Sequence, residues 1–218
     1  MCAAALVLAA LAGCSGADEP AEGPAAEPGV IRLGTLVPTT GPDSHTGASM
    51  LNGAMLAVDE VNAAGGVLGR QVELMVEDDA GDPGAAAQAL VRKDIAVSVG
   101  GYGSSAVPPI FRSAGVPMII ARAGPAGRRA PGDVFLIAGR APIVPRLVPE
   151  LADWSARYTA AIGSPPGPST VEAYDAVNVA LNAIERAGGL DPEAVRRAIA
   201  ATDSEFLSGP VSFVAVTP

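Results

Sequence analysis

The sequence predicts an α/β fold, a parallel sheet with helices on both faces. Short apolar runs rich in Val, Ile and Leu alternate with longer segments whose apolar residues recur at helical spacing. Gly and Pro cluster between these segments rather than within them. The order is strand, helix, strand, helix, which sets successive strands parallel and sends the crossovers over the two faces in turn.

Residues 30 to 38 (VIRLGTLVP) read as a buried strand closed by Pro38. Thr39 to Gly47, containing Gly-Pro-Asp-Ser-His-Thr-Gly, reads as a loop. Leu51, Met55, Val58 and Asn62 then recur at helical spacing and Gly65-Gly66 supplies a stop, giving a helix over about 48 to 63. Gln71 to Glu77 is a strand in which Val72, Leu74 and Val76 alternate with Gln71, Glu73 and Glu77, with Met75 on the polar face. Asp82-Pro83 pairs an N-cap with proline at the first helical position, so a helix runs to about Arg92. Ile95 to Val99 is a third strand, leading into Gly100-Gly101-Tyr102-Gly103-Ser104-Ser105. Either serine can cap the next helix, whose first turn accommodates Pro108 and Pro109 and which stops at Gly115. Val116 to Ala121 is a fourth strand.

Beyond the Gly/Pro-rich loop 124 to 132, Asp133 to Ala138 reads as a fifth strand. A helix over about 146 to 161 carries Leu147, Leu151, Trp154 and Tyr158 on one stripe. Ser169 and Glu172 stand at capping-box spacing, opening a helix that buries Tyr174, Val177, Leu181 and Ile184 and stops at Gly188-Gly189. Asp191-Pro192-Glu193 starts a last helix, 192 to 201. Residues 205 to 218 read as one strand, Val211 to Val216.

The N-terminus is set apart by composition. Residues 3 to 13 are all Ala, Val, Leu or Gly, and Leu11-Ala12-Gly13 stands immediately before Cys14. The run has the length of a signal-peptide core and is too short for a permanent membrane span. The stretch resembles a bacterial lipoprotein processing site, which makes Cys14 the lipidated first residue of the mature chain. No Arg or Lys precedes Arg32, a departure from the usual charged n-region. The alternative is an Ala-rich core helix with an incidental cysteine. Ser15 to Gly29 carries Asp18, Glu19, Glu22 and Glu27 and no base, a mix that cannot bury apolar area and reads as an acidic, disordered tether.

These features limit the functional classes. The formal net charge is −9, and removing the tether acids leaves about −5, which serves solubility. With Lys93 the sole lysine and four Phe, no basic, aromatic-studded surface for nucleic acid exists. The cysteines are Cys2 and Cys14, so the folded body has neither a disulfide nor a thiolate metal site. Gly101 to Ser105 is not the Gly-x-Ser-x-Gly elbow, Gly100 to Gly103 lacks the dinucleotide fingerprint, and a single histidine leaves few options for a Ser/His/Asp arrangement. Glu77, Asp78, Asp79 and Asp82 lack calcium-loop spacing and read as a solvated strand end with a helix cap. No cofactor and no catalytic residue is indicated.

In open parallel sheets ligands bind beyond the carboxyl ends of the strands. Loops 38 to 47, 100 to 105 and 121 to 126 occupy that rim. Gly101, Gly103, Ser104 and Ser105 permit close backbone approach, and a helix N-terminus behind them favours an anion such as an amino-acid carboxylate. The bland alternative is that both serines only cap the helix. Tyr102 either covers a ligand or plugs the end of the sheet, and His45 is either a ligand contact or a surface loop residue.

Several phrases carry a family likeness. Residues 31 to 42 (IRLGTLVPTTGP), 51 to 70 (LNGAMLAVDEVNAAGGVLGR), 74 to 83 (LMVEDDAGDP), 98 to 120 (SVGGYGSSAVPPIFRSAGVPMII), 169 to 186 (STVEAYDAVNVALNAIER) and 209 to 213 (GPVSF) each resemble segments of the leucine/isoleucine/valine-binding class of ABC-transporter solute-binding proteins, in that class's order. The resemblance implies the type I periplasmic binding fold, a small amino acid or carboxylate as ligand, an ABC permease as partner, and an extracytoplasmic, membrane-anchored location at the cell surface or in the periplasm. It makes Ser104 the carboxylate-contacting serine. Where the amino-acid binders resemble Pro-Ala/Ser-Ala-Thr, this chain has Ala121-Arg122-Ala123-Gly124. Gly124 thus replaces a ligand-gripping Thr, and Arg122 is either a substitute carboxylate partner by bidentate contact or a solvated loop residue. The family is also longer by about one domain, roughly 100 to 150 residues. The missing material centres near Gly127 to Val134 and corresponds to most of a second lobe. The organisation expected is therefore a signal peptide at 1 to 13, a tether at 14 to 29, one α/β lobe at 30 to 205, and a strand segment at 206 to 218 as a remnant of lobe two, without its native sheet. A shortened relative with weak or no ligand binding and an interaction role is the alternative.

Overall fold

The computed structural model describes residues 29–79, 81–100, 104–121, 134–137 and 149–213. Its sheet contains β1 (Ile31–Val37), β2 (Val72–Asp78), β3 (Val97–Val99), β4 (Met118–Ile120) and β5 (Val134–Leu136), in the order β2-β1-β3-β4-β5. All neighbours are parallel; Ile31 pairs with Val72, Leu33 with Val97, Ser98 with Met118 and Met118 with Val134. The expected α/β class and parallel sheet are present.

Strand parity sorts the core into two layers. Ile31, Leu33, Val37, Val97, Val99, Ile119 and Phe135 face α1 (Ser44–Ala63), α5 (Thr170–Ala187) and α6 (Pro192–Ala200). Leu36, Met118, Ile120 and Val134 face α2 (Pro83–Arg92) and α3 (Val107–Ser113). The period-two alternation of a strand buried on both sides thus becomes a helix layer on each face. α4 (Pro149–Ile162) docks on α1 and α5 through Trp154 and Tyr158, which form a third cluster with Leu56.

Helix ends follow their sequence signals where the signal is local. Asp82 accepts a hydrogen bond from the Ala85 N–H at 2.9 Å, and Asp191 accepts one from Ala194 at 2.8 Å, each ahead of a proline in the first turn. α1 and α5 end at Ala63 and Ala187, just before the expected glycines.

Four expectations are corrected. α1 starts at Ser44, so the first rim loop is shorter than 39 to 47: the Gly41 carbonyl accepts from the Ser44 N–H and the Asp43 carbonyl from Gly47, winding the chain into the helix early. Met55 does not belong to the core stripe; it is 46% exposed, and the buried face is Met50, Gly53, Ala54, Ala57 and Val58. The Ser169 capping box does not form: Ser169 has φ 62° and makes no side-chain cap, while the Thr170 hydroxyl donates to the Gly167 carbonyl at 2.9 Å. Finally, the C-terminal segment is an antiparallel hairpin of β6 (Asp203–Phe206) and β7 (Gly209–Ser212), not a lone strand over 211 to 216. Its Val211 enters the main core and Phe213 packs edge-on against Phe135 at 5.1 Å, while β6 and β7 pair with each other in a sheet of their own; residues 214 to 216 of the expected strand lie outside the described residues. The turn is held from below, where the buried Asp175 carboxylate accepts the Ser208 N–H at 2.7 Å.

Candidate functional site

The carboxyl ends of β1, β3 and β4 open onto Pro38, Gly100 and Ala121, which defines one rim of the sheet. The first of its loops is anchored by bonds the chain makes to itself. Asp78, last residue of β2, pairs in register with Val37, last residue of β1. Its carboxylate accepts the Thr39 N–H at 2.9 Å and the Thr40 hydroxyl at 2.7 Å, which folds the first loop toward β2. The first turn of α1 closes on the same loop: a Cβ at Gly47 would lie 1.9 Å from the Pro38 carbonyl oxygen. Gly100 has φ 81° and turns the chain off β3 beside Thr35, whose hydroxyl oxygen would be 2.9 Å from a Cβ there.

Ser104 is half-buried and its hydroxyl accepts the Ala106 N–H at 3.3 Å; Ser105 is exposed in the following turn. α3 begins after them, with Ala106 at its N-cap position, so neither serine is the helix cap itself. Ser104 instead bonds two residues on, a serine turn ahead of the helix. His45 is exposed on the first turn of α1 rather than in a loop, and no hydrogen bond among the described residues joins it to the serines. Tyr102, Gly103, Arg122, Ala123 and Gly124 lie outside the described residues, as does Cys14.

Charge on the rim is uneven. Burial, then the negative charge of Asp78, raises the Asp79 carboxyl above its usual range, a backbone hydrogen bond lowers it, and Asp43 adds a further push upward. The β2 side of the rim thus gathers three carboxyl groups, Asp43, Asp78 and Asp79. Sequence reasoning placed Asp78 in a solvated strand end and missed its hold on Thr39 and Thr40, which depends on β1 and β2 ending together in the sheet. Among the described residues no group of three or more His, Cys, Asp or Glu side chains is placed to hold a metal ion, and no helix is long and apolar enough to cross a membrane.

Residues 30–141 match the family model described as periplasmic binding protein, a span that holds all five strands of the sheet and the rim. The chain belongs to the periplasmic binding protein family. It is 41% identical over 83 residues to the Leu/Ile/Val-binding protein BraC3 of Rhizobium johnstonii, covering 37% of this chain and 23% of that protein. It is 37% identical over 95 residues to the leucine-, isoleucine-, valine-, threonine- and alanine-binding protein of Pseudomonas aeruginosa, covering 41% of this chain and 26% of that one. The aligned part thus spans about a quarter of the length of these curated relatives. Among solved structures, the branched-chain amino acid transporter substrate binding protein LivJ of Streptococcus pneumoniae, in complex with isoleucine, matches with a TM-score of 0.75 at 16% identity, covering 85% of this chain and 92% of that one. At that identity the likeness establishes the fold, that of the type I periplasmic binding proteins. The two curated relatives are named as amino-acid-binding proteins, and LivJ as the substrate binding protein of a branched-chain amino acid transporter.

Proposed function

We propose that this chain is an extracytoplasmic solute-binding protein of an ABC importer, with a branched-chain or other small amino acid, or a small carboxylate, as ligand. The observation that carries the reading is that the family match covers the sheet and its rim, where β1 and β3 are neighbours and their carboxyl ends lead to Pro38 and Gly100. Carboxyl groups on the β2 side and a serine beyond β3 suit a zwitterion, with ammonium toward Asp78 and Asp79 and carboxylate toward Ser104 and the α3 peptide groups. Tyr102, Gly103, Ser105, Arg122, Ala123, Gly124 and His45 complete the proposed contact set. We assign the chain no catalytic role and no cofactor.

The body from 30 to 205 is read as one lobe and the segment from 206 onward as the remnant of a second, of which Leu207, Val211 and Phe213 pack on the first. Two-lobed binding proteins close around the ligand by hinge motion. A single lobe supplies half of that enclosure, so the expected affinity is weak. Calorimetry of the full chain with L-leucine, L-isoleucine and L-valine is expected to show millimolar binding that Ser104→Ala weakens about tenfold, the loss of one charge-assisted hydrogen bond. Absence of heat at millimolar ligand would sink this reading. The limited span shared with the curated relatives favours, in that event, a shortened relative with an interaction role.

Anchoring is proposed through lipid on Cys14, on the strength of the apolar run and the Leu-Ala-Gly-Cys junction. Expressed in a bacterium with radiolabelled palmitate, the chain is expected to take up label and to lose it with Cys14→Ala. Label that persists in the variant would exclude Cys14 as the anchor.

A further inference from the structure

Asp175 is a carboxylate that the rim does not use. It sits on α5 with 1% exposure, and the partner of its Oδ2 is the Ser208 N–H in the turn of the C-terminal hairpin. No ion pair to it occurs among the described residues. Of the charged groups on the elements around it, Glu172 lies one turn back on α5 and adds repulsion. On α1, Glu60 is bonded to Tyr174 and paired with Arg157 of α4. Asp203 and Glu205 on the hairpin are exposed and also acidic. Arg186 on α5 donates to the Ala198 carbonyl and the Thr202 hydroxyl instead. The carboxylate is thus buried under a turn that offers it the Ser208 and Leu207 peptide groups and the Ser208 side chain, with no cation paired to it among the described residues.

We propose that Asp175 is a protonation-dependent latch for the C-terminal hairpin: with its proton it seats the Leu207-Ser208 turn on α5, and on ionisation it favours release of residues 203 to 213. The device reaches beyond the hairpin. Leu207 packs against the Trp154 and Tyr158 cluster, Val211 lies in the main core, and Phe213 touches Phe135 of edge strand β5. Release therefore uncovers apolar surface on α5 and the edge of the sheet together.

The sign follows from burial. Desolvation is the largest influence on Asp175 and raises its carboxyl to about 6, against the opposing pull of hydrogen bonds from Ser208 and Leu207. In the undocked state the group is solvated and titrates near its ordinary value of 3.8. The docked form therefore holds the proton more tightly. Docking is favoured most at low pH and weakens as pH rises from about 4 through about 6.

Hydrogen exchange on the full chain tests this, with rates corrected for intrinsic pH dependence and the amides of β1 as internal reference. Protection of residues 203 to 213 is expected to fall about tenfold between pH 5 and pH 7.5 while β1 keeps its protection. Asp175→Asn keeps an acceptor for the Ser208 N–H and cannot ionise, so its hairpin is expected to stay protected across the range. Protection that is independent of pH in the unmodified chain overturns the latch. So does an equal loss in β1, which marks global unfolding, and so does a pH dependence that survives Asp175→Asn. The first two outcomes need no variant, so the test stands even if the substitution impairs folding.

Discussion

Gly53→Leu is expected to destabilise the protein by roughly 3 kcal/mol or more, through forced separation of its two longest helices. A Cβ at Gly53 would lie 2.2 Å from the Thr170 carbonyl oxygen, 3.0 Å from its carbonyl carbon and 3.1 Å from its Cγ2. Backbone atoms cannot swing aside as a side-chain tip can, so α1 must move away from the start of α5. That movement reaches the core directly. Ala54 and Ala57 of α1 and Ala173, Ala176 and Ala180 of α5 are all buried, small residues that let the helices lie close. In a solvated helix interior, Gly→Ala gains about 1 kcal/mol from propensity. At position 53 the sign is reversed, and Gly53→Ala is expected to cost about 1 to 2 kcal/mol. Gly189→Ala is the control, because a Cβ there meets nothing within 4 Å. Urea-unfolding midpoints of the three variants rank these outcomes; a Gly53→Ala protein as stable as the control would show that the helices can part without penalty. The same step tests the rim, since α1 begins against Pro38.

The parts legible in the sequence are those whose cause is local. Apolar runs marked the strands, Asp-Pro marked the starts of α2 and α6, and the four-residue spacing of Trp154 and Tyr158 marked the inward stripe of α4. Where the cause lies far along the chain, the reading failed. Ser169-x-x-Glu172 has capping-box spacing, yet the preceding loop is tied elsewhere: Gly167 sits so near Ser49 that a Cβ would be 2.3 Å from its hydroxyl, and Ser169 takes a left-handed backbone. The C-terminal hairpin depends on a bond between Asp175 and Ser208, 33 residues apart. Nothing in residues 205 to 218 alone reveals that partner. The rim divides in the same way. Ser104 stands out beside its glycines, whereas the hold of Asp78 on Thr39 requires β1 and β2 to be in register across 39 residues. Composition could say that Asp78 was polar and near a strand end, but not that it faced another strand's last residue.

Trp154→Ala is expected to cost about 3 to 5 kcal/mol, the range for removing a large aromatic from a closed core. The indole is fully buried, with ring centroids 5.3 Å from Tyr158 and 5.2 Å from Tyr174, the latter edge-on. It is the centre of the contact that docks α4 on α1 and α5, together with Leu56 and Leu151. Polar bonds rim that contact: Tyr174 donates to Glu60, which also pairs with Arg157 at 3.3 Å. Burial first, then the bond to Glu60, pushes the Tyr174 hydroxyl up to about 12, so it remains a donor at any ordinary pH. The exposed Arg157 pair contributes little by itself, and the aromatic cluster carries the docking. Trp154→Phe separates packing from polarity. Among the described residues the indole Nε1 is buried without a hydrogen-bond partner, a defect that costs on the order of 1 to 3 kcal/mol. Phenylalanine removes that donor while keeping a ring against both tyrosines, so the lost volume and the relieved donor offset each other to within about 1.5 kcal/mol. Because Trp154 is the single tryptophan, the transitions are followed by circular dichroism rather than fluorescence. A Phe variant as unstable as the Ala variant would mean that indole shape, rather than aromatic burial, sets the position of α4.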